Sequence, residues 1–332
     1  MKSAVKIGLL AAAAIALVVG ALLLAGVSPA VAGKSLWQSN FGSANAVAGL
    51  LRETTPLLIL GAAVFIALKA GLFNIGAEGQ FLAGAIVAAA VALKVPGPLG
   101  LALAVLAAVA MGALWALPAA WIKAYRHGHE VITTIMMNQI AVYVTTVLVA
   151  GPLKDKAQES TTTAMISDSS RLPSLTLGGV SVNVAIVISV VLVVLGARWL
   201  ARSVSGFELR AAGANPVAAR FAGVATARVQ FSAMLASGAL SGFAGFVQVA
   251  AYEGRFYAGF SPGYGFDALG VALLGGGGML GVIPAALGFG MLNKGSTALT
   301  IEGVPKGITS VVLGLLIVVF AAVRYRRAVR SG

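Results

Sequence analysis

The chain is cut into apolar blocks of about 15 to 25 residues, and most Lys and Arg sit in the short stretches between them. Hydrocarbon offers the backbone no hydrogen-bond partner, so such blocks must satisfy their own N–H and C=O groups. Helices of this length do so and cross a bilayer. Charged residues are 10% of 332 and mean hydropathy is +0.97, whereas a soluble domain carries about 25% charge. The net charge of +13 is not a nucleic-acid footprint, because aromatic residues are few and the cations punctuate apolar spans rather than lining one face. Orientation of the chain and contact with anionic lipid are the better uses of that charge. With no cysteine there is no thiol, disulfide or Cys-ligated metal chemistry, and His127 and His129 alone make no metal site.

Taken in order, Lys2 and Lys6 precede an apolar run from Ile7 to Val27, followed by Ala30-Val31-Ala32. That tripeptide has the look of a signal-peptide cleavage site, but the run exceeds the roughly 7–15 residues of a signal core, so a retained span is expected. Residues 35–55 are mixed and are expected along the outer interface, with a short inward span over Pro56 to Ala70. Gly71, Gly76 and Gly79 surround Asn74, Glu78 and Gln80, and irregular backbone at membrane depth is tolerated only against protein or a water-filled cavity. Spans over 81–93, 99–122 and 131–150 follow, with Pro96-Gly97-Pro98 turning the chain. On 131–150 a polar stripe of Glu130, Thr134, Asn138 and Thr145 falls at helical spacing; it serves either interhelical hydrogen bonding or a solute path.

The polar stretch 151–180 is expected outside, as a solvated loop or as a landing surface for an external protein. Gly238, Gly242 and Gly245 on the 229–251 span are spaced for close helix packing. One crossing cannot use all of 261–299, and it would leave Arg324, Arg326, Arg327 and Arg330 outside. Two crossings turning near Gly275 to Gly278, then a last span over 307–323, place both termini in the cytoplasm. The expected fold is an all-α polytopic membrane protein of about ten spans in one domain, residues 1–332. An internal echo supports two inverted five-helix repeats, about 1–180 and 181–332. FNIGAEGQFLAG at Phe73 and FSPGYGFDALGV at Phe260 match at an offset of 187, with Glu78 and Asp267 nearly in register. Each acid stands at the start of a span, where it either steadies a helix N-terminus or lines a pathway.

The most distinctive polar stretch is 202–226. From Arg198 to Arg228 there are five Arg and one Glu, so this loop is expected to stay cytoplasmic. Asn215-Pro216 reads as an N-cap followed by a first-turn proline, with a short helix over 217–221 bracketed by Gly213 and Gly223. On charge alone this is a solvated loop that fixes topology. The run RAAGANPVAARFAGV, however, resembles the cytoplasmic coupling segment of ABC importer permeases of the branched-chain amino acid and simple-sugar class. KAGLFNIGAEGQFLAGA from Lys69 and HEVITTIMMNQIA from His129 resemble the same family in the same order, and most nearly its nucleoside-type members.

That resemblance implies a permease subunit that imports a nucleoside or related small polar solute. A simple sugar or branched-chain amino acid is the alternative within the family, and an ion-coupled secondary transporter the alternative outside it. It implies docking of a separate ATPase on Glu208, Arg210, Gly213, Asn215, Pro216, Ala219, Arg220 and Gly223, delivery by an external solute-binding lipoprotein, and pairing with a second, homologous permease. The chain has no G-x-x-x-x-G-K-[ST] and no H-E-x-x-H, so it carries no catalytic residues of its own; no metal or cofactor is expected, and ATP would be bound by the partner. Asn74, Glu78, Gln80, Asn138, Phe260, Tyr264 and Asp267 are the candidates for the pathway, since a neutral nucleoside needs amide and hydroxyl partners and an aromatic face.

Overall fold

The computed structural model describes residues 28–126 and 128–301, with isolated positions between 16 and 26. Helices α1 (Pro29–Phe41), α2 (Ala44–Lys69), α3 (Ala77–Lys94), α4 (Pro98–Arg126) and α5 (Glu130–Ala150) lead to a two-stranded hairpin, β1 (Ser174–Leu177) and β2 (Val180–Asn183). Then come α6 (Val184–Arg202), α7 (Val204–Ala214), α8 (Pro216–Phe221), α9 (Thr226–Val247), α10 (Tyr264–Leu274) and α11 (Val282–Ile301). Among the described residues, α2 to α6 and α9 with its extension to Glu253 are long and apolar enough to cross a membrane. The chain is therefore a multi-pass helical membrane protein. The expected spans over 7–27 and 307–323, and the C-terminal arginines, lie outside the described residues.

Two compact units divide the chain: residues 1–54, 176–181 and 287–332, and residues 55–175 and 182–286. In the first, Asn40 Nδ2 donates to the Met291 carbonyl at 3.2 Å and the Lys294 ammonium donates to the Ala46 carbonyl. The second holds every candidate functional residue. At its centre α9 lies backbone to backbone against α3 and α4. A Cβ placed on Gly242 would strike the Ala108 carbonyl and come within 2.9 Å of Gly112 Cα, and one on Gly84 would come within 2.5 Å of Gly242 Cα. A Cβ on Gly245 would strike the Phe81 carbonyl. The glycine spacing read from the sequence thus works as a packing device. In lipid, where apolar side chains gain little by meeting each other, such close approach is what holds helices together.

Two expectations need correction. Residues 44–55 are not a stretch separate from the next span: α2 runs unbroken from Ala44 through Pro56 to Lys69. A proline costs one backbone hydrogen bond, and neighbouring protein tolerates that loss in a membrane helix. The helix ends at Gly71, whose φ of 76° lets the Leu72 N–H close on the Ala67 carbonyl at 2.9 Å. Nor is the polar stretch expected at 151–180 a free solvated loop over its first part, 151–175. Thr162, Thr163, Ile166 and Ser170 are buried, and the strand-like segment pairs with residues 254–258. Thr163 N–H donates to the Phe256 carbonyl at 2.8 Å, Ala258 N–H to the Thr161 carbonyl at 3.0 Å, and Ile166 N–H to the Gly254 carbonyl at 2.8 Å.

The turn expected at 275–278 is present, with Gly276 at φ 87°. Helix α10 before it has 11 residues, about 16 Å of rise, which is half a bilayer. Gly242→Val is expected to destabilise the protein by about 3 kcal/mol, because neither facing backbone can retreat. Leu114→Ala, on an exposed site of α4, is expected to cost under about 0.5 kcal/mol. Thermal unfolding in detergent would separate the two.

Candidate functional site

Between the end of α2 and the start of α3 the chain is non-helical over 71–76, and polar side chains hold this break in place. Asn74 and Gln80 form a reciprocal amide pair: Asn74 Nδ2 donates to Gln80 Oε1 at 2.8 Å and Gln80 Nε2 donates to Asn74 Oδ1 at 3.1 Å. Asn74 Nδ2 also donates to Ser237 Oγ on α9 at 2.8 Å. From α5, Asn138 accepts the Gly79 N–H at 2.8 Å and donates to the Ile75 carbonyl at 2.9 Å. Asn74, Gln80 and Asn138 are all buried, so each amide meets groups that would otherwise face an apolar interior.

The break ends at a junction between two helix N-termini. Glu78 lies in the first turn of α3 and Asp267 in the first turn of α10. The Gly265 N–H, at the start of α10, donates to Glu78 Oε2 at 2.7 Å, and the Ser261 hydroxyl bonds the same carboxylate. A Cβ on Gly265 would strike the Glu78 backbone, so only glycine lets the two ends meet. Both helices present the positive ends of their dipoles to one buried carboxylate. Asp267 is half-buried in that same first turn, two residues after Gly265.

The residue 187 after Glu78 is Gly265, so this contact falls on the internal echo. That offset was the signal that could have named Gly265 from sequence. Residues 259–263 also read G-x-S-x-G. They follow a loop rather than a strand, and Ser261 Oγ accepts from Gly263 and Tyr264 N–H at 3.1 and 3.3 Å, which makes it a helix cap rather than a nucleophile.

Beside the junction is a cavity of about 170 Å³, lined by Glu78, Thr145, Thr146, Tyr257, Phe260 and Ser261 among others. Phe260 and Tyr264 are buried against Phe81, with ring centroids 5.8 and 6.1 Å away, and Phe256 stacks on Phe260 at 4.7 Å. Tyr257, which the sequence gave no reason to choose, is half-buried on the cavity wall. The six-residue π-helical turn Gln248–Glu253 precedes it and re-aims the chain into this rim.

The basic segment 202–226 folds as α7 and α8. Asn215 Oδ1 accepts from Val217 and Ala218 N–H, each at 3.0 Å, and Pro216 occupies the first turn, as the sequence indicated. Arg210, Asn215, Pro216, Arg220 and Gly223 are exposed, Glu208 is half-buried and Ala219 is buried. Exposed with them are Phe207, Val217 and Phe221, the last at 91%. Gly213 is turned inward: a Cβ there would strike the Lys69 carbonyl and come within 2.8 Å of the Gly71 nitrogen. The foot is thereby seated directly on the start of the break. Lys123 Nζ pairs with Glu130 Oε2 at 2.8 Å, tying α4 to α5.

Apolar crossing helices, an interrupted helix meeting another end to end at a buried acid, and an exposed Phe- and Arg-bearing foot define a multi-pass membrane protein with a polar break at its centre. Comparison with known proteins gives the family. The model for the branched-chain amino acid transport system permease component matches residues 46–321, and the chain belongs to that family. It is 36% identical over 327 residues to the guanosine ABC transporter permease of Bacillus subtilis, covering 96% of this chain and 91% of that one. It is 34% identical over 331 residues to the glucose ABC transporter permease of Haloferax volcanii (96% and 87%) and 33% over 316 residues to the nucleoside ABC transporter permease of Lactococcus lactis (92% and 86%). No solved structure matches it significantly. The chain is the membrane-spanning permease subunit of an ABC importer, and as such works with an ATPase and a solute-binding protein.

Glu78→Ala removes the acceptor of a buried N–H and is expected to cost about 3 kcal/mol; Glu78→Gln keeps an acceptor oxygen and is expected to cost about 1 kcal/mol. The two unfolding temperatures in detergent check the order, and equal losses would argue against a supporting role for the junction.

Proposed function

We propose that this permease translocates a nucleoside or closely related riboside, driven by an ATPase that docks on α7 and α8. The observation that carries the reading is the foot itself. A 91%-exposed Phe221 beside Arg220, on a six-residue helix with a fully formed cap, is a protein-contact surface rather than a solvated loop. Glu208, Arg210, Asn215, Pro216, Ala219, Arg220 and Gly223 serve that contact. Gly213 supports it from behind, because its seat against Lys69 and Gly71 passes a tilt of the foot to the break and so to the Glu78 junction.

Asn74, Gln80 and Asn138 keep the break in one shape while Glu78, Phe260, Tyr264 and Asp267 flank the pathway. At about 170 Å³ the cavity is below the roughly 300 Å³ of a ligand pocket, which fits a closed state between transport events.

Ten spans in two inverted repeats, both termini cytoplasmic, complete the proposal; the non-helical stretch 254–263 and the half-length α10 together make one of those crossings. The Glu78–Gly265 contact supports it, since residues related by a pseudo-twofold meet only near its axis, where transporter sites lie. Pairing with a second, homologous permease and delivery by an external lipoprotein belong to the same reading. The relatives named for guanosine and for nucleosides support a riboside; the relative named for glucose supports a sugar as the second reading.

Uptake of radiolabelled guanosine by cells carrying the complete system tests this. It should vanish when the ATPase is deleted and survive an uncoupler; uptake that persists without the ATPase and collapses with the uncoupler would make the chain an ion-coupled carrier. Arg220→Glu combined with Phe221→Asp should lower uptake at least tenfold, roughly the loss of one buried charged contact. Membrane insertion, read by protease protection, should remain.

A further inference from the structure

Helix α5 carries a second polar stripe besides the buried one. Gln139, Tyr143 and Thr146 follow at i, i+4 and i+7, so they share a face. All three are exposed, Tyr143 at 69%. Residues of this face that flank them, Met136 and Val147, are also exposed, at 57% and 68%. Gln139 is the tenth of the 21 residues of α5, which puts it near mid-membrane.

An amide facing hydrocarbon without a partner costs roughly 2–7 kcal/mol. Nothing about helix formation needs a glutamine there, and the other exposed faces of α4 and α6 at mid-helix are apolar, with Leu106, Leu114, Val191 and Leu195. The stripe is also continuous with the cavity: Thr146 lines it, together with Val142 and Thr145 of the same helix and Glu78 and Tyr257 from elsewhere. Thr146 therefore belongs to both surfaces. Its hydroxyl proton is used on the Val142 carbonyl at 2.7 Å, leaving lone pairs that accept.

We propose that the Gln139–Tyr143–Thr146 face of α5 is a solute-contacting wall of the translocation path, continuous with the cavity at Glu78. Gln139 supplies an amide that both donates and accepts, as the hydrogen-bonding edge of a heterocyclic base requires. Tyr143 supplies an exposed ring face for the base and a hydroxyl for the sugar. Both are uncharged, which suits a neutral riboside. The assignment of a riboside rests on the function proposed above; the assignment of the wall rests on Gln139 and the cavity alone.

The natural chain has no cysteine, so single substitutions Gln139→Cys and Tyr143→Cys in the complete transport complex, reconstituted in liposomes, report their surroundings directly. A charged, membrane-impermeant thiol reagent should modify both at least tenfold faster than Leu106→Cys, an exposed apolar control on α4. Millimolar guanosine, supplied with the solute-binding protein, should slow that modification at least threefold. Modification only by a lipid-partitioning maleimide would make the face lipid-exposed, and modification by neither reagent would make it a protein interface; either result overturns the wall. Fast modification slowed by glucose and not by guanosine would uphold the wall and overturn the riboside reading.

Discussion

A single carboxylate lets two helices end inside the protein. The N-termini of α3 and α10 converge on Glu78, and each brings about half a positive charge and several N–H groups without intrahelical partners. Two such ends would repel if they met alone. Glu78 lies in the first turn of one helix and accepts the Gly265 N–H of the other, so one carboxyl group answers both. The rest of the centre follows. The short α10, the break over 71–76, and the amides of Asn74, Gln80 and Asn138 are what it takes to bring two helix ends to one place and satisfy the backbone they leave open.

Parts of this were legible because local rules set them. The cap at Asn215, the proline after it and the helix that ends at Phe221 depend on neighbouring residues only, and they form as read. The turn at 275–278 was legible for the same reason, and the glycines of α9 because small residues at helical spacing mark close packing whatever the partner. What escaped depends on contacts far along the chain. Pro56 looked like the start of a span because the partners that tolerate it are not adjacent in sequence. The polar stretch 151–175 looked solvated because its hydrogen bonds go to residues 250–258, about 80 to 100 positions away. Gly265 carried no chemical signal of its own; only its offset from Glu78 marked it.

Helix α5 shows how one segment serves two surroundings. Asn138 and Gln139 are neighbours in sequence and about 100° apart around the axis. The first is buried and fully occupied with the backbone of residues 75 and 79; the second is exposed. A reading by periodicity that counts polar residues finds the stripe through Asn138 and stops there. The second stripe stands out only when burial separates the two faces. Amides at adjacent positions in the same motif thus have different work, one in holding the fold and the other on its open surface.

The backbone seams between α9 and its neighbours have a mechanical outcome. Where glycine replaces side chains at a seam, there is no layer of rotamers to slip, so α3, α4 and α9 can change position only together. A 22-residue helix is about 33 Å long, and a rotation of about 5° about one end swings the other by about 3 Å. That displacement is about one water diameter, enough to decide whether an aqueous crevice stays wet. A stroke too small to rearrange one face would thus arrive at the opposite face large enough to open or shut it.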